Sequence, residues 1–316
     1  MIRPRPLLEA LRRALVAAAD PLRPVLAQVV VTRRCNLACG YCFEYDDRSP
    51  PVPAALLLER VDRIADLGTV VLTLTGGEPL LHPELDRVVA HAVERGLVCT
   101  LISNGYPLTE GWVERLNRAR LTSLQVSVDV LAPNAVTQKA LERVAGPLRL
   151  LRERARFAVN VNAVLGACPG AELLELGRRV REAGFYMTVG LMNDAHGQCV
   201  NGLVGPGLLP LYRELDAGRR RSLFHRPGEG WEETLLREGR APWRCRAGGR
   251  FLYVDEDGLV SYCSQRREPA VPLASYGREH LRRGFETAKG CEDGCTQACV
   301  RRASAFDGWR RPRTEP

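Results

Sequence analysis

Residues 26–45, LAQVVVTRRCNLACGYCFEY, decide the fold of this chain. The stretch opens with an apolar, β-branched run over 26–32, which is typical of a buried strand. Cys35, Cys39 and Cys42 follow at once. Three thiolates on one short loop can reach a single metal centre, and soft thiolates select iron–sulfur clusters or zinc. The stretch therefore predicts a strand that ends in a metal-binding loop.

Five similar runs follow the first one at regular intervals, and we predict that each of the six is a strand. The runs cover residues 26–32, 69–75, 98–103, 124–129, 157–165 and 186–192. Amphipathic stretches between them predict helices near 53–67, 83–95, 110–120, 136–153 and 171–183. This alternation indicates an α/β fold with a parallel sheet and helices outside it. Six units are fewer than the eight of a closed barrel, so we expect a partial (β/α)6 barrel with its chemistry at the carboxyl ends of the strands.

The alternation of strands and helices stops near residue 200, which indicates that the barrel ends there. Residues 250–264, RFLYVDEDGLVSYCS, predict a β-hairpin with Gly258 in its turn. We expect four segments: an N-terminal amphipathic helix over 1–24, the barrel over 25–200, a connecting region over 201–240, and a small cysteine-rich extension of hairpin and helix over 241–316.

The composition is that of a folded protein. The 316 residues are 45% hydrophobic and 26% charged, which excludes wholesale disorder. No apolar run approaches the ~20 residues of a membrane-spanning helix. Asp20, Pro21 and Pro24 interrupt the region where a secretory signal would need its apolar core. We therefore expect a cytoplasmic protein without a transmembrane segment, and the N-terminal helix leaves weak contact with a membrane surface open.

The net charge of +8 comes almost entirely from arginine, because Lys139 and Lys289 are the only lysines among 45 basic residues. No long basic stripe interleaved with aromatic residues is present, so we expect no nucleic-acid partner. The chain also holds eleven cysteines. In a reducing cytosol such a density favours metal binding over disulfides.

A second motif follows the second predicted strand: Gly76-Gly77-Glu78-Pro79. Two glycines there allow a backbone to approach a ligand closely. The CxxxCxxC motif with Tyr41 before its last cysteine, followed by GGEP after strand two, resembles the radical S-adenosylmethionine (radical SAM) superfamily.

The resemblance implies a [4Fe–4S] cluster on Cys35, Cys39 and Cys42, whose remaining iron binds S-adenosylmethionine (SAM). It also implies the activity: reductive cleavage of SAM to a 5′-deoxyadenosyl radical, which abstracts hydrogen from a substrate. Two alternatives for the three thiols stay open. One is a zinc site with a fourth ligand from elsewhere, and the other is three unrelated cysteines.

The resemblance further implies SAM contacts at the ends of the strands. The candidate residues are Tyr41, Gly76, Gly77, Glu78, Pro79, Ser103, Asn104, Ser127, Asp129 and Asn162. Polar residues at strand ends are also common helix caps, which is the alternative for Ser103 and Asn104. We interpret His82 as a structural residue near the start of a helix.

A second set of cysteines lies in the C-terminal segment, and Gly258 precedes one of them in a GxxxxC pattern. The set consists of Cys245, Cys263, Cys291, Cys295 and Cys299. The pattern resembles the SPASM and twitch extensions of radical SAM enzymes. A full SPASM domain supplies seven cysteines and two clusters, whereas this chain has five. We therefore expect one auxiliary [4Fe–4S] cluster with one spare thiol, and a zinc site remains the alternative.

Three cysteines belong to neither set. Cys99 lies inside a predicted strand and should be a small buried hydrophobic residue. Cys168 and Cys199 follow the fifth and sixth strands, where a thiol could return a hydrogen atom to a substrate radical. These two are the candidate catalytic residues.

Three functions are consistent with these features. The leading hypothesis is oxidation, epimerisation or bond formation on a natural-product-like small molecule or a lipid, with a flavodoxin- or ferredoxin-type electron donor. The alternative is maturation of a ribosomally synthesised peptide, although about twenty-four residues before the first strand are too few for a folded leader-binding domain. A non-catalytic iron–sulfur or zinc protein for electron transfer or redox sensing is the third.

Overall fold

The computed structural model describes residues 4–220 and 230–308. Three of the predicted segments, 1–24, 201–240 and 241–316, are described in part. Their residues 1–3, 221–229 and 309–316 lie outside the described residues.

Nine strands form a single sheet in the described part of the chain. They are β1 (Leu26–Thr32), β2 (Val71–Gly76), β3 (Val98–Ser103), β4 (Ser123–Ser127), β5 (Ala158–Leu165), β6 (Tyr186–Leu191), β7 (Phe251–Val254), β8 (Leu259–Ser261) and β9 (Val271–Pro272). Their order across the sheet is β6-β5-β4-β3-β2-β1-β7-β8-β9, and β1 to β6 run parallel. The open, mostly parallel sheet confirms the predicted α/β partial barrel.

Helices follow the strands as predicted. Those of the described residues are α1 (Pro4–Ala19), α2 (Ala54–Asp66), α3 (Leu85–Glu94), α4 (Glu110–Ala119), α5 (Leu141–Arg154), α6 (Gly170–Glu182), α7 (Leu209–Arg220), α8 (Trp231–Glu238), α9 (Arg278–Glu286) and α10 (Ala298–Ala305). Across residues 4–220 and 230–308, no helix combines the length and the apolar character needed to cross a membrane.

The helix predicted over 136–153 begins later than expected, at Leu141. The preceding residues form a loop instead, because local hydrogen bonds hold them there. The Asn134 Oδ1 atom accepts bonds from the backbone N–H groups of Val136 and Thr137 at 2.9 and 2.8 Å. The backbone N–H of Asp129 donates to the carbonyl of Lys139 at 2.8 Å. Side chains of this loop reach the cysteine loop, as described below.

Side chains alternate between the two faces of the sheet, as the strand geometry requires. Residues such as Leu124, Val126 and Val161 pack in one large apolar core with the helices. The opposite face, which we call the inner face, carries polar side chains that are neither fully buried nor fully exposed. Its residues include Gln125, Ser127, Asn160, Asn162 and Thr188. The barrel therefore encloses a polar, accessible surface.

The predicted C-terminal hairpin is present as β7 and β8, and Gly258 lies in its turn with φ of +83°. The hairpin also extends the barrel sheet. Strand β7 pairs in parallel with β1, from Leu26 opposite Phe251 to Val29 opposite Val254. A second apolar cluster forms there from Val30, Cys245, Ala247, Phe251, Tyr253, Val300 and Ala303. Helix α10 therefore packs against the sheet next to one of the tail cysteines.

Arg250 ties this C-terminal region to the N-terminal helix. Its side chain has no exposed surface, and its guanidinium group binds both carboxylate oxygens of Asp307, with Nε to Oδ2 at 2.6 Å. The remaining nitrogen, Nη1, donates to the backbone carbonyls of Ala17 and Arg23 at 2.9 and 2.7 Å. The buried Arg250–Asp307 ion pair, together with the hydrogen bonds of Arg250 to backbone carbonyls, thus joins the N-terminal and C-terminal parts of the described chain.

Candidate active site

The cysteine loop begins where β1 ends and is fixed by backbone hydrogen bonds. The N–H of Cys35 donates to the carbonyl of Asp46 at 2.8 Å, and the N–H of Cys42 donates to the carbonyl of Cys39 at 3.0 Å. The N–H of Gly40 reaches across to the carbonyl of Val136 at 2.9 Å. The loop after β4 thus supports the cysteine loop from the side.

Hydrogen-bond donors point at the sulfur atoms of this loop. The N–H of Leu37 lies 3.4 Å from Sγ of Cys35. The buried Cys39 Sγ accepts from the hydroxyl of Thr137 and the N–H of Gln138, each at 3.5 Å. Donors to sulfur favour the thiolate form and tune the potential of iron–sulfur clusters. The donor set therefore suits thiolate ligands.

The thiols also need a cation to become thiolates, because burial raises the pKa of Cys35 and of Cys42 above the ordinary value. Among residues 4–220 and 230–308, no three His, Cys, Asp or Glu side chains are arranged to hold a single metal ion. Soft thiolates on this loop suit an iron–sulfur cluster or zinc.

The GGEP motif packs directly against the start of the cysteine loop. The N–H of Gly77 donates to the carbonyl of Thr32 at 2.8 Å. Gly76 has φ of +141°, and a Cβ atom on it would lie 2.1 Å from the Thr32 carbonyl oxygen. A Cβ atom on Gly77 would lie 2.3 Å from the carbonyl oxygen of Arg33. Only glycine fits at both positions, so the motif sets how the cysteine loop leaves the sheet.

Glu78 is completely buried and binds three donors. Its Oε1 accepts from the N–H of Leu80 at 3.0 Å and the hydroxyl of Ser103 at 2.8 Å, and its Oε2 accepts from the N–H of Asn104 at 2.7 Å. Ser103 and Asn104 therefore do not cap the following helix, whose cap is Thr109. The geometry gives Glu78 a positioning role between the ends of β2 and β3.

Glu78 should make stability depend on pH. Burial raises its pKa from 4.5 to about 6, so the folded state holds the proton more tightly than the unfolded state. The resulting stabilisation is complete below pH 4.5 and is lost as the pH rises to about 6, a decrease of about 2 kcal/mol in the free energy of unfolding. Urea unfolding across this range should show that decrease, and the Glu78→Gln variant should lack it. Equal slopes for both proteins would contradict the assignment.

Tyr41 and Asp129 meet in one network with Lys139. The hydroxyl of Tyr41 donates to Oδ2 of Asp129 at 2.5 Å, and Nζ of Lys139 donates to the Tyr41 hydroxyl at 2.9 Å. Burial alone would lower the pKa of Lys139, but the neighbouring Tyr41 and Asp129 raise it above the ordinary value. Lys139 is therefore a positive charge beside the cysteine loop. Sequence reasoning gave it no role, although its rarity was a signal.

Of the other predicted SAM contacts, Pro79 begins a short 3-10 turn, and Ser127 and Asn162 lie on the inner face. Ser127 is directly opposite Asn162 across the β4–β5 pair, and Oδ1 of Asn162 accepts from the hydroxyl of Thr188 at 2.8 Å. His82 is buried, with Nε2 at 2.8 Å from the carbonyl of Val52, so the structural interpretation holds.

The two candidate hydrogen-atom donors lie in different surroundings. Sγ of Cys168 is 3.5 Å from the carbonyl of Asp129, beside the Tyr41 network. Cys199 is buried, and its backbone N–H donates to the carbonyl of Gly294 in the tail at 2.9 Å. Burial raises the pKa of both thiols to about 11, which keeps them protonated at neutral pH. Cys99 is wholly buried in β3, as expected.

The five tail cysteines converge on Cys263. Cys263 and Cys299 pack against the second apolar cluster, which contains Cys245. Cys291 and Cys295 are near enough to Cys263 for these thiols to influence one another's pKa. Burial raises the pKa of Cys245 and of Cys295 to about 12. The N–H of Gln297 donates to Sγ of Cys295 at 3.4 Å. These features parallel those of the first loop and suit thiolate ligation by iron.

One contact joins the two cysteine regions. Glu44, two residues after Cys42, accepts hydrogen bonds from the hydroxyl of Tyr253 on β7 and from Nη2 of Arg267, the latter at 2.9 Å. Arg267 lies four residues after Cys263. The cysteine loop and the hairpin are thus held together by a buried tyrosine and an ion pair.

Comparison with known families agrees with this geometry. Residues 29–193, slightly more than half of the chain, match the radical SAM superfamily. This chain belongs to the radical SAM superfamily. The predicted membership is therefore confirmed, and with it the expected cofactors of the family, a [4Fe–4S] cluster and SAM. The family match supports a radical SAM enzyme.

Curated relatives cover part of this radical SAM enzyme. A PqqA peptide cyclase of Xanthomonas euvesicatoria pv. vesicatoria (strain 85-10) is 30% identical over 218 residues, which cover 66% of this chain and 49% of that protein. A PqqA peptide cyclase of Gluconobacter oxydans (strain 621H) is 29% identical over 223 residues, covering 68% of this chain and 54% of that protein. This chain spans about half the length of these curated relatives.

Solved structures share the fold of this radical SAM enzyme. Streptococcus suis SuiB bound to its precursor peptide SuiA has a TM-score of 0.65 at 16% identity, covering 90% of this chain and 71% of that chain. The structure of anSMEcpe with bound AdoMet and the Cp18Cys peptide has a TM-score of 0.58 at 16% identity, covering 91% and 98%. At these identities the likeness concerns the fold alone.

Proposed function

We propose that this radical SAM enzyme modifies a ribosomally synthesised peptide. The observation that carries the proposal is the 30% identity with a protein named as a peptide cyclase, over a segment that covers 66% of this chain. Peptide maturation was the alternative hypothesis from the sequence. It is better supported than the small molecule or lipid that we expected first.

The inner face supports a peptide substrate on physical grounds. Gln125 lies opposite Asn160 across the β4–β5 pair, and Ser127 lies opposite Asn162, so amide and hydroxyl groups line neighbouring strands. An extended peptide carries an N–H donor and a C=O acceptor at most residues, and amide side chains can bind both. A lipid chain would leave these polar groups without hydrogen bonds, which is unfavourable.

The proposed site lies at the carboxyl ends of the strands. Cys35, Cys39 and Cys42 would hold the cluster, and the other predicted cofactor residues would surround SAM. When bound, the cluster and SAM supply one-electron cleavage of a carbon–sulfur bond and hydrogen abstraction from carbon. Glu78 holds the GGEP turn against the end of β3 through Ser103 and Asn104. Cys168 is the better hydrogen-atom donor candidate of the two for an epimerisation, because its thiol is partly exposed beside Asp129. Bond formation between two carbon atoms needs no such donor.

We further propose one auxiliary [4Fe–4S] cluster on four of the five tail cysteines. The convergence of these thiols around Cys263 supports it, as does the N–H donor to Cys295. A full set of thiolate ligands would suit electron transfer to or from the peptide radical. The proposal includes an external flavodoxin- or ferredoxin-type donor and a cytoplasmic location, where thiols stay reduced.

The test uses anaerobically reconstituted enzyme with SAM, dithionite and synthetic peptides encoded beside its gene. We expect release of 5′-deoxyadenosine together with a peptide that has lost two hydrogen atoms, as bond formation between two C–H carbons requires. The variant with Cys35, Cys39 and Cys42 replaced by alanine is the control and should give neither product. Release of 5′-deoxyadenosine with every peptide mass unchanged, but with conversion of small molecules, would contradict the peptide proposal.

A further inference from the structure

Both lysines of the chain lie beside cysteine sets, although they are two among 45 basic residues. Lys139 lies next to the loop that carries Cys42, and Lys289 lies next to the hairpin that carries Cys263. Elsewhere in the sequence every positive side chain is an arginine. Each cysteine set thus has a lysine of its own.

Lys139 is held by the tyrosine of the cysteine loop. Its Nζ atom lies 4.9 Å from the ring centre of Tyr41 and donates to the Tyr41 hydroxyl at 2.9 Å. Tyr41 directly precedes Cys42. The ammonium group also interacts electrostatically with Cys35, Cys39 and Cys42.

Lys289 repeats this arrangement at the tail. Its Nζ atom lies 4.7 Å from the ring centre of Tyr262, which directly precedes Cys263. The side chain is 4% exposed, and Nζ donates to the carbonyl of Thr287 at 2.6 Å and to that of Gly284. Burial lowers the pKa of Lys289 to about 8, while Cys245 and Glu292 raise it, so the side chain is mostly an ammonium at neutral pH. This ammonium interacts electrostatically with Cys245 and Cys291.

Lysine and arginine carry the same charge in different shapes: an ammonium is a compact point charge, whereas a guanidinium is a wide planar fork. Arginines also lie near the tail thiols. The guanidinium of Arg266 lies 6.0 Å from the ring centre of Tyr262 and interacts electrostatically with Cys263 and Cys291. Arg301 lies over the rings of Trp231 and Trp243 at 4.3 and 4.7 Å. It also interacts electrostatically with Cys245 and Cys295.

We propose that Lys139 and Lys289 are charge-compensating residues, each of which raises the reduction potential of the iron–sulfur cluster bound by its own cysteine set. For Lys289 the inference rests on the proposed auxiliary cluster. A cluster held by thiolates is anionic and gains one further negative charge on reduction. A fixed cation nearby stabilises the reduced form more than the oxidised form, and it does so most strongly where water is excluded.

The experiment is an anaerobic redox titration of reconstituted enzyme, followed by electron paramagnetic resonance. The variants are Lys139→Gln and Lys289→Gln, because glutamine removes the charge but keeps an N–H donor for the neighbouring carbonyls or hydroxyl. At a fixed potential we expect the ratio of reduced to oxidised cluster to fall about tenfold, equal to about 59 mV for one electron. Only the cluster next to the changed lysine should respond.

The auxiliary cluster is measured alone in a protein whose Cys35, Cys39 and Cys42 are alanine. Lys289→Arg keeps the charge and should restore most of the potential, whereas equal shifts for Arg and Gln would mean a packing role and overturn the proposal. Arg302→Gln is the matched control, since Arg302 is exposed near Cys299 and water screens its charge. Its ratio should change far less than that of Lys289→Gln.

The outcomes separate the two proposals. If the alanine background binds no iron or sulfide, the auxiliary cluster itself is wrong, and the role of Lys289 is wrong with it. If the cluster forms with full iron content and Lys289→Gln leaves its potential unchanged, only the role of the lysine is wrong. An unchanged potential of the first cluster in Lys139→Gln would overturn that half of the proposal independently.

Discussion

Replacement of Cys39 by alanine is expected to abolish the release of 5′-deoxyadenosine, with a loss of about a thousandfold or more, because the cofactor carries the difficult chemistry. Cys39 is the most enclosed thiol of its loop, at 3% exposure, and its sulfur accepts hydrogen bonds from Thr137 and Gln138. Without this ligand the cluster would be held by two thiolates at most. Product release by chromatography and iron content per chain measure the effect.

The matched control is Cys99→Ala, which removes an equally buried thiol from β3 at a position with no role in the site. This variant should keep its iron and its rate of SAM cleavage. If Cys39→Ala retained both the iron content and the rate of the parent enzyme, the assignment of the cluster to this loop would be wrong.

Replacement of Arg250 by methionine is expected to lower the free energy of unfolding by about 3–5 kcal/mol. The change removes the guanidinium group that pairs with the buried Asp307 carboxylate and that donates to the carbonyls of Ala17 and Arg23. Thermal unfolding of the reconstituted enzyme under nitrogen should show a clearly lower midpoint, together with faster proteolysis near the N-terminal helix.

Arg278→Met tests whether any lost ion pair would do the same. Arg278 pairs with Asp20 at 2.9 Å, but its side chain is 63% exposed. An exposed pair contributes about 0–1 kcal/mol, so this variant should unfold close to the parent. Equal destabilisation by the two changes would show that burial of the Arg250 pair is not the cause.

Much of the barrel follows from sequence periodicity, because each strand and helix is a local pattern. The strand expected over 98–103 is found as Val98–Ser103, and the helix expected over 110–120 as Glu110–Ala119. The cysteine and GGEP motifs are also local, since each lies within one loop. Such features depend on neighbours in the chain and can be found by inspection.

The remaining features depend on contacts between distant segments. The loop that ends at Lys139 donates two hydrogen bonds to the sulfur atom of Cys39, about a hundred positions earlier in the chain, and local helical periodicity gave no sign of that contact. The parallel pairing of β7 with β1 joins segments more than two hundred residues apart. The role of Glu78 likewise depends on donors from the next strand. Amphipathic spacing carries no information about such partners.

The pairing of β1 with β7 limits how the C-terminal segment can be removed or transferred. Strand β7 completes the backbone hydrogen bonding of β1. Deletion of the cysteine-rich C-terminal segment would therefore leave β1 as an exposed, apolar edge strand, which favours aggregation. Transfer of this segment to another barrel would require an edge strand there with which β7 can pair.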